Sequence, residues 1–302
     1  MLSLDFPVAG MTKSPMRQRP GTPSHRWLHP SPLKHMRYSR DMTIIAGFVH
    51  SEGILLCSDM EVTIAGTASK RLGPKLMSIT GIWGSMGIAL WGNPDTAIAA
   101  VQKMQRRIGG LRSGRDLLDE VDEALGEFYR QHVFAHPSYA TQGDLLAYGL
   151  ILAIYDATTG HLGLYGTSED TIREMSMYKY DGIGRDAASS LMQLLYEPNL
   201  TKDEACTVAS YAISVAKRMV PGCGGPSLFM NVGLSGEVDH SPASPGKVGH
   251  LERVSEMFNA KSGRLLLKHM CEKDEDFNRS LDEFVLDVKT MRSMWKPTTP
   301  VG

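Results

Sequence analysis

Thr43 follows a methionine directly and opens an apolar run, TIIAGFVH, that reads as a β-strand. A hydroxyl is a weak nucleophile at neutral pH and needs an adjacent base. If Thr43 becomes the first residue, by use of Met42 as the start or by cleavage of residues 1–42, its own α-amine titrates near pH 8 and can be that base. Asp59 lies sixteen residues further on and Lys75 another sixteen. In a sheet of two hairpins, the start of strand one, the end of strand two and the start of strand three share an edge. Hydroxyl, carboxylate and ammonium then converge. Taken alone, Asp59 and Lys75 are ordinary turn and edge-strand charges. Their value depends on Thr43 carrying a free amine.

The elements that would position these residues follow from periodicity. TIIAGFVH and ILLCSDM flank Ser51-Glu52-Gly53 as a hairpin, and their nearly continuous apolar character predicts strands covered on both faces. A second hairpin is predicted from KLMSI and IWGSMGIAL, turning at Thr80-Gly81. Helical spacing then runs through Ala97, Val101, Met104 and Ile108 to Gly109-Gly110, with another helix over about 113–134. Strands are predicted at 145–155 and 161–165, joined by an Asp156–Gly160 turn, with 175–180 as a third member. Helices follow at 186–195 and 202–219, the latter opened by Thr201 with Glu204 at capping-box spacing. SLFMNVGL is the last strand, 235–250 a polar loop, and 251–259 and 274–293 are helices. Grouped strands alternating with grouped helices predict an α+β fold with stacked sheets and helices outside.

The 302 residues carry a formal charge of −1, which conceals a split. Residues 1–41 hold seven basic against two acidic side chains and six of the 16 prolines, whereas the other 261 hold 25 basic against 31 acidic. A head of +5 with no apolar periodicity reads as disordered or removed. A body of −6 gives no electrostatic footprint for nucleic acid. No run of 18 apolar residues predicts a membrane span, and no apolar stretch marks a secretory signal. Cys57, Cys206, Cys223 and Cys271 are scattered, which argues against a disulfide framework or zinc module and fits a cytoplasmic setting. The head histidines His25, His29 and His35 form no metal motif, so no metal or other cofactor is expected.

Thr43, Gly47, Gly53, Asp59, Thr63 and Lys75 together match, without a gap, the motif of proteasome-type N-terminal-nucleophile hydrolases. The chain resembles their catalytic β-subunits and the bacterial ATP-dependent ring peptidase related to them. LLAYGLILAIYDATTGHLGLY, KYDGIGRDAASSLMQLLYEPNLTKDEA and AISVAKRM extend the resemblance to about residue 235, leaving 1–42 as a head and 236–302 as a C-terminal extension. The resemblance implies a four-layer αββα sandwich of two mainly antiparallel sheets. It further implies a threonine-type peptidase acting on unfolded polypeptide within a ring of like or unlike subunits, with an ATPase unfoldase as a possible partner. Thr43 Oγ would attack the carbonyl and the α-amine take its proton. Lys75 would depress the pKa of both groups, Asp59 would orient Lys75, and the Gly92 N–H would face the oxyanion.

The same resemblance makes Val62, Thr63, Met77, Leu90 and Ile98 a mainly apolar pocket for a substrate side chain; read alone, the apolar members are equally core. Several supporting positions depart from the pattern. Gly184-Arg185-Asp186 stands where a Gly-Ser-Gly is usual, Met219-Val220 replaces an Arg-Asp pair, Cys223 replaces a serine, and Glu61 replaces an arginine. Asp186, next to Arg185, is the candidate to support the amine in their place. These departures leave two other functions open: a non-catalytic structural subunit, or a small-molecule amidohydrolase on the same fold. The acidic stretch Asp274–Val288 is a candidate assembly surface, with a solvated helix as its default reading.

Overall fold

The computed structural model describes residues 43–63, 70–137, 146–168, 170–269 and 273–295. The head, read as disordered or removed, the scattered Cys271, and Leu145, read as a strand start, lie outside these residues. The first hairpin forms as its sequence predicts, with β1 (Ile44–His50) antiparallel to β2 (Gly53–Asp59). Every residue of β2 is buried. Gly53 has φ +150, and a Cβ there would lie 2.3 Å from the Val232 carbonyl oxygen, so only glycine lets the strands close this tightly.

After β2 come a short ribbon of β3 (Glu61–Thr63) and β4 (Lys70–Leu72), then β5 (Leu76–Gly81) and β6 (Gly84–Gly92). The β5–β6 turn falls at Ile82-Trp83, two residues beyond the expected Thr80-Gly81. Gly84, at φ +138 and pressed against the Tyr155 carbonyl, takes the strained position. Helix α1 (Pro94–Ile108) starts on Asn93, whose side chain accepts from the Thr96 N–H. Helix α2 (Leu117–Phe128) runs on into a π-helical turn, Tyr129–Phe134, and begins four residues later than expected. The residues before it are held instead by the 156–160 turn, with the Gly114 N–H donating to Thr158 Oγ at 2.8 Å.

Strands β7 (Tyr148–Asp156), β8 (His161–Ser168) and β9 (Thr171–Met175) join β5 and β6 in a five-stranded antiparallel sheet, order β5-β6-β7-β8-β9. The segment expected to be one strand, 175–180, is split. Its first part ends β9, while Tyr178–Gly182 forms β10, which pairs with β1 in the other sheet. Alternation cannot report a change of partner two residues apart. Helix α3 (Arg185–Leu195) and helix α4 (Lys202–Met219) follow, α4 with the full Thr201–Glu204 capping box. Strand β11 (Ser227–Gly233) and the short β12 (Val238–Asp239) complete the first sheet, order β10-β1-β2-β11-β12. The expected loop 235–250 therefore contains β12 and the start of α5 (Pro245–His269), which precedes α6 (Asp274–Trp295).

Among the described residues the fold is α+β with antiparallel sheets and six α-helices. The second sheet is built from consecutive strands, as expected; the first is not, because β10 and β11 return to flank the first hairpin. Period-two alternation divides β1 cleanly. Ile44, Ala46 and Phe48 pack with α3 and α4, whereas Ile45, with Ile54 and Leu56 of β2, packs on Ala89, Ile151 and Leu164 of the second sheet. A Cβ on Gly47 would lie 2.7 Å from Leu164, so this glycine permits the close approach of the sheets. The other face of the second sheet buries Ile88, Leu90, Leu150 and Leu152 against α1 and α2.

Candidate functional site

Thr43 precedes β1, Asp59 ends β2, and Lys75 precedes β5. They do converge, but not along one sheet edge as expected. Lys75 enters from the second sheet, where its carbonyl accepts from the Leu90 N–H of β6 at 2.9 Å. Thr43 Oγ donates to Asp59 Oδ1 at 2.7 Å, and the Ile44 N–H donates to the same oxygen at 3.1 Å. Lys75 Nζ donates to Thr43 Oγ, to Asp59 Oδ1 at 2.6 Å and to the Glu61 carbonyl at 2.6 Å. The Gly224 N–H closes the cluster on Asp59 Oδ2 at 2.9 Å.

Donor and acceptor capacity then defines what each group can do. An ammonium has three protons to donate, and all three of Lys75 have acceptors. Burial pushes its pKa below the usual lysine value, and the Asp59 carboxylate beside it opposes that shift. Asp59 accepts four hydrogen bonds, three on Oδ1 and one on Oδ2. The Thr43 hydroxyl proton is one of the three on Oδ1, so this carboxylate, paired with Lys75, orients the hydroxyl it accepts from. The cluster holds a hydroxyl between a cation and its paired carboxylate, and contains no imidazole or second amine to act as base.

A cavity of about 260 Å³ opens beside Thr43, lined among others by Val62, Leu90, Gly92, Trp91, Glu61 and Arg71. Three of the sequence candidates, Val62, Leu90 and Gly92, thus face the same space as Thr43 and Lys75. Thr63 is in β3 opposite Lys70. Met77 packs against the helix-covered core and Ile98 is 37% exposed on α1; neither lines this cavity. Gly92, at φ +89, could not carry a Cβ, which would meet the Ala147 carbonyl at 2.4 Å. Arg185 and Asp186 pair with each other at 3.4 Å on the surface, and the Asp186 side chain is 91% exposed, so the structure does not bring it to Thr43.

Backbone groups at the cluster escaped the sequence reading. The Glu61 carbonyl, the Gly224 N–H and the Gly184 N–H, which donates to the Thr43 carbonyl at 3.3 Å, carry no side-chain signature. Glycines 182, 184, 224 and 225 were the available signal. A Cβ on Gly182, at φ +89, would lie 2.4 Å from the Thr43 carbonyl oxygen. The Glu61 side chain is held by Lys70 at 2.5 Å. Burial pushes the Cys223 thiol up to about 12, so it stays protonated and is no competing nucleophile.

With this geometry in place, similarity to solved structures becomes informative. The chain has the fold of Anbu proteins. Anbu from Hyphomicrobium sp. strain MC1 superposes with a TM-score of 0.59 at 14% identity, covering 77% of this chain and 99% of that one. The Anbu (ancestral beta-subunit) of Yersinia bercovieri gives 0.59 at 16%, covering 76% and 98%. Anbu of Pseudomonas aeruginosa, solved as a helical assembly, gives 0.60 at 15%, covering 75% and 96%. Identity this low establishes the fold alone. No protein-family model and no curated protein matches the chain.

The expected assignment to catalytic proteasome β-subunits and the bacterial ring peptidase is corrected by this finding: the structural neighbours are Anbu proteins. The reason is physical. The six-residue register measures strand and turn lengths, and a fold can be kept at 14–16% identity, so the register does not tell one group of chains with that fold from another. Among the described residues no helix is long and apolar enough to cross a membrane.

Proposed function

We propose that this chain is an amide-bond hydrolase whose nucleophile is Thr43 Oγ, freed with its α-amine by removal of the residues before it, on an αββα framework of the N-terminal-nucleophile kind. The observation that carries the reading is the buried Thr43–Asp59–Lys75 cluster beside an open cavity, in which a hydroxyl lies between a cation and its paired carboxylate with no imidazole or second amine to act as base. An α-amine on Thr43 supplies that base from the same residue. The amine takes the Oγ proton as Oγ bonds to the substrate carbonyl carbon, then passes it to the leaving nitrogen as the C–N bond breaks. Water hydrolyses the resulting ester and restores the hydroxyl. Lys75 stabilises charge developing on Oγ, and the Gly92 N–H is assigned to the oxyanion, a donor worth about 3 kcal/mol.

Val62 and Leu90 give the cavity apolar walls for a substrate side chain, and Thr63 beside Val62 belongs to the same proposed pocket. The proposed substrate is polypeptide in extended form, admitted by an assembly of subunits and delivered, where it is folded, by an unfoldase. The helical assembly of the Pseudomonas Anbu supports association of copies. Free, buried Cys57, Cys206 and Cys223 support a reducing, cytoplasmic setting. The exposure of Asp186 favours the rival reading, a non-catalytic subunit, because the amine then lacks a carboxylate from that position.

Intact mass and N-terminal sequencing of the isolated protein separate the two, together with labelling by a peptide epoxyketone. The hydrolase reading expects a chain beginning at Thr43 with the adduct on that residue. Retention of residues before Thr43 on every molecule, or no adduct on a correctly processed chain, sinks it.

A further inference from the structure

The Gly224 N–H reaches Asp59 Oδ2 from a loop, Val220–Pro226, that contains three glycines, with Gly222 at φ +104 and Gly225 at φ +69. Glycines give a loop little stiffness of its own, so a donor aimed from it depends on anchors: the Gly224 carbonyl accepts from the Glu61 N–H at 3.1 Å, and the loop's ends are held as well. Both ends are tied to one carboxylate. Lys217, in the last turn of α4, donates to Glu252 Oε1 at 2.8 Å. Ser227, the first residue of β11, donates to the same oxygen at 2.5 Å, and Lys217 Nζ also donates to Ser227 Oγ at 2.8 Å. The Lys217 and Glu252 side chains are 13% and 17% exposed, and Ser227 is buried. Ser227 is also the register partner of Asp59 on the neighbouring strand. Glu252 belongs to α5, in the C-terminal extension that the sequence resemblance does not reach.

We infer that Glu252 is a positioning residue for the Thr43 site. It fixes both ends of the 220–226 loop and thereby helps to aim the N–H that donates to Asp59 Oδ2. The C-terminal extension is thus coupled to the nucleophile through four links: Glu252, the loop ends, Gly224 and Asp59. With the clamp open, Asp59 keeps its contacts to Thr43 and Lys75 but loses the donor on its other oxygen, and its carboxylate plane is free to rotate. Substrate contacts in the cavity are untouched, so the effect falls on the rate of the chemical step and not on binding.

The inference rests on Thr43 being the nucleophile, and the test keeps the two apart. Full-length, processed wild type, Glu252→Ala, Glu252→Gln and Ser227→Ala are compared for labelling of Thr43 by a peptide epoxyketone and for amide hydrogen exchange of segment 220–226. Glu252→Ala is expected to lower the maximal labelling rate, by up to roughly 100-fold for a misplacement of this kind, with the half-saturating concentration unchanged and exchange in 220–226 faster. Glu252→Gln still accepts from Lys217 and Ser227 and recovers most of the rate. Ser227→Ala, which cuts only the strand-side tie, shows the same split to a smaller degree and decides the matter if Glu252→Ala does not fold. A labelled wild type with variants that match it in rate or in 220–226 exchange overturns the inference alone. A wild type that never labels at Thr43 overturns the nucleophile reading and this inference with it.

Discussion

The β1–β2 hairpin buries polar groups at both ends, and the two ends behave differently. At the open end lie Thr43, Asp59 and Lys75, none more than 5% exposed. At the turn end His50, 3% exposed, donates through Nε2 to Asn231 Oδ1 at 2.7 Å, while its Nδ1 accepts from the Glu52 N–H at 3.2 Å. Burial is the leading cause of a lowered pKa for both Lys75 and His50. The histidine is nevertheless a neutral pair satisfied within the sheet. The lysine is a cation held by a carboxylate, aimed at a hydroxyl and facing a cavity. Burial and a shifted pKa therefore do not mark the functional end. What sets the proposed functional end apart is an opening to solvent space and a hydroxyl held by a charge.

The largest expected difference is in reactivity. Thr43→Ala removes the proposed nucleophile but leaves Asp59 three donors and Lys75 two acceptors. Epoxyketone labelling and any peptide hydrolysis should fall by at least about a thousandfold, with the urea midpoint nearly unchanged. Asn231→Ala at the turn end should do the reverse. It leaves the buried His50 N–H without its partner, at a cost of about 1–3 kcal/mol, and Thr43 still labels. Loss of labelling in Asn231→Ala at unchanged stability would remove the distinction between the two ends.

Stability separates the ends more sharply when a charge is removed. Asp59→Asn leaves the buried Lys75 cation without its counter-charge, and breaking a buried pair from one side costs about 3–5 kcal/mol. Urea unfolding should show that loss, above the loss for Asn231→Ala. Equal losses at the two ends would mean that Lys75 sheds its proton in the variant instead of remaining an unpaired cation.

How much of this was readable beforehand depends on the range of each contact. Thr43 and Asp59 were legible because two seven-residue strands and a tight turn fix their separation, and the apolar pattern displays both strands. Lys75 was legible by its spacing, but for a mistaken reason. It comes from the other sheet, and nothing local in the sequence tells which sheet a strand joins. The same blindness merged β9 with β10 and hid the return of β11 beside β2. Val62 and Leu90 were placed at the cavity, whereas Met77 and Ile98 were not separable from core and surface by type alone. Glu252 was invisible because an acidic residue on a long helix has an exposed salt partner as its default, and its real partners lie at the far ends of a distant loop. Backbone donors such as Gly224 leave only glycine as a trace.

The smallest expected effect is the pH dependence of the turn end. His50 is neutral in the fold, with Nδ1 occupied as an acceptor from Glu52, so protonation sets a new N–H against an existing one. Burial, and to a smaller degree Lys202, disfavours the cation, while Asn231 and Glu52 oppose that shift. The folded pKa is therefore below the ordinary value of about 6.5. A group so depressed contributes stability that is fully present above the unfolded value and is lost as pH falls beneath it, because the unfolded chain binds the proton first. Between pH 7 and pH 5, wild type should lose stability relative to His50→Gln, at no more than about 1.4 kcal/mol per pH unit. Thr43→Ala, altered only at the other end, should keep the wild-type slope. A His50→Gln variant with the wild-type slope would assign the acid sensitivity to another group and leave the turn end as inert packing.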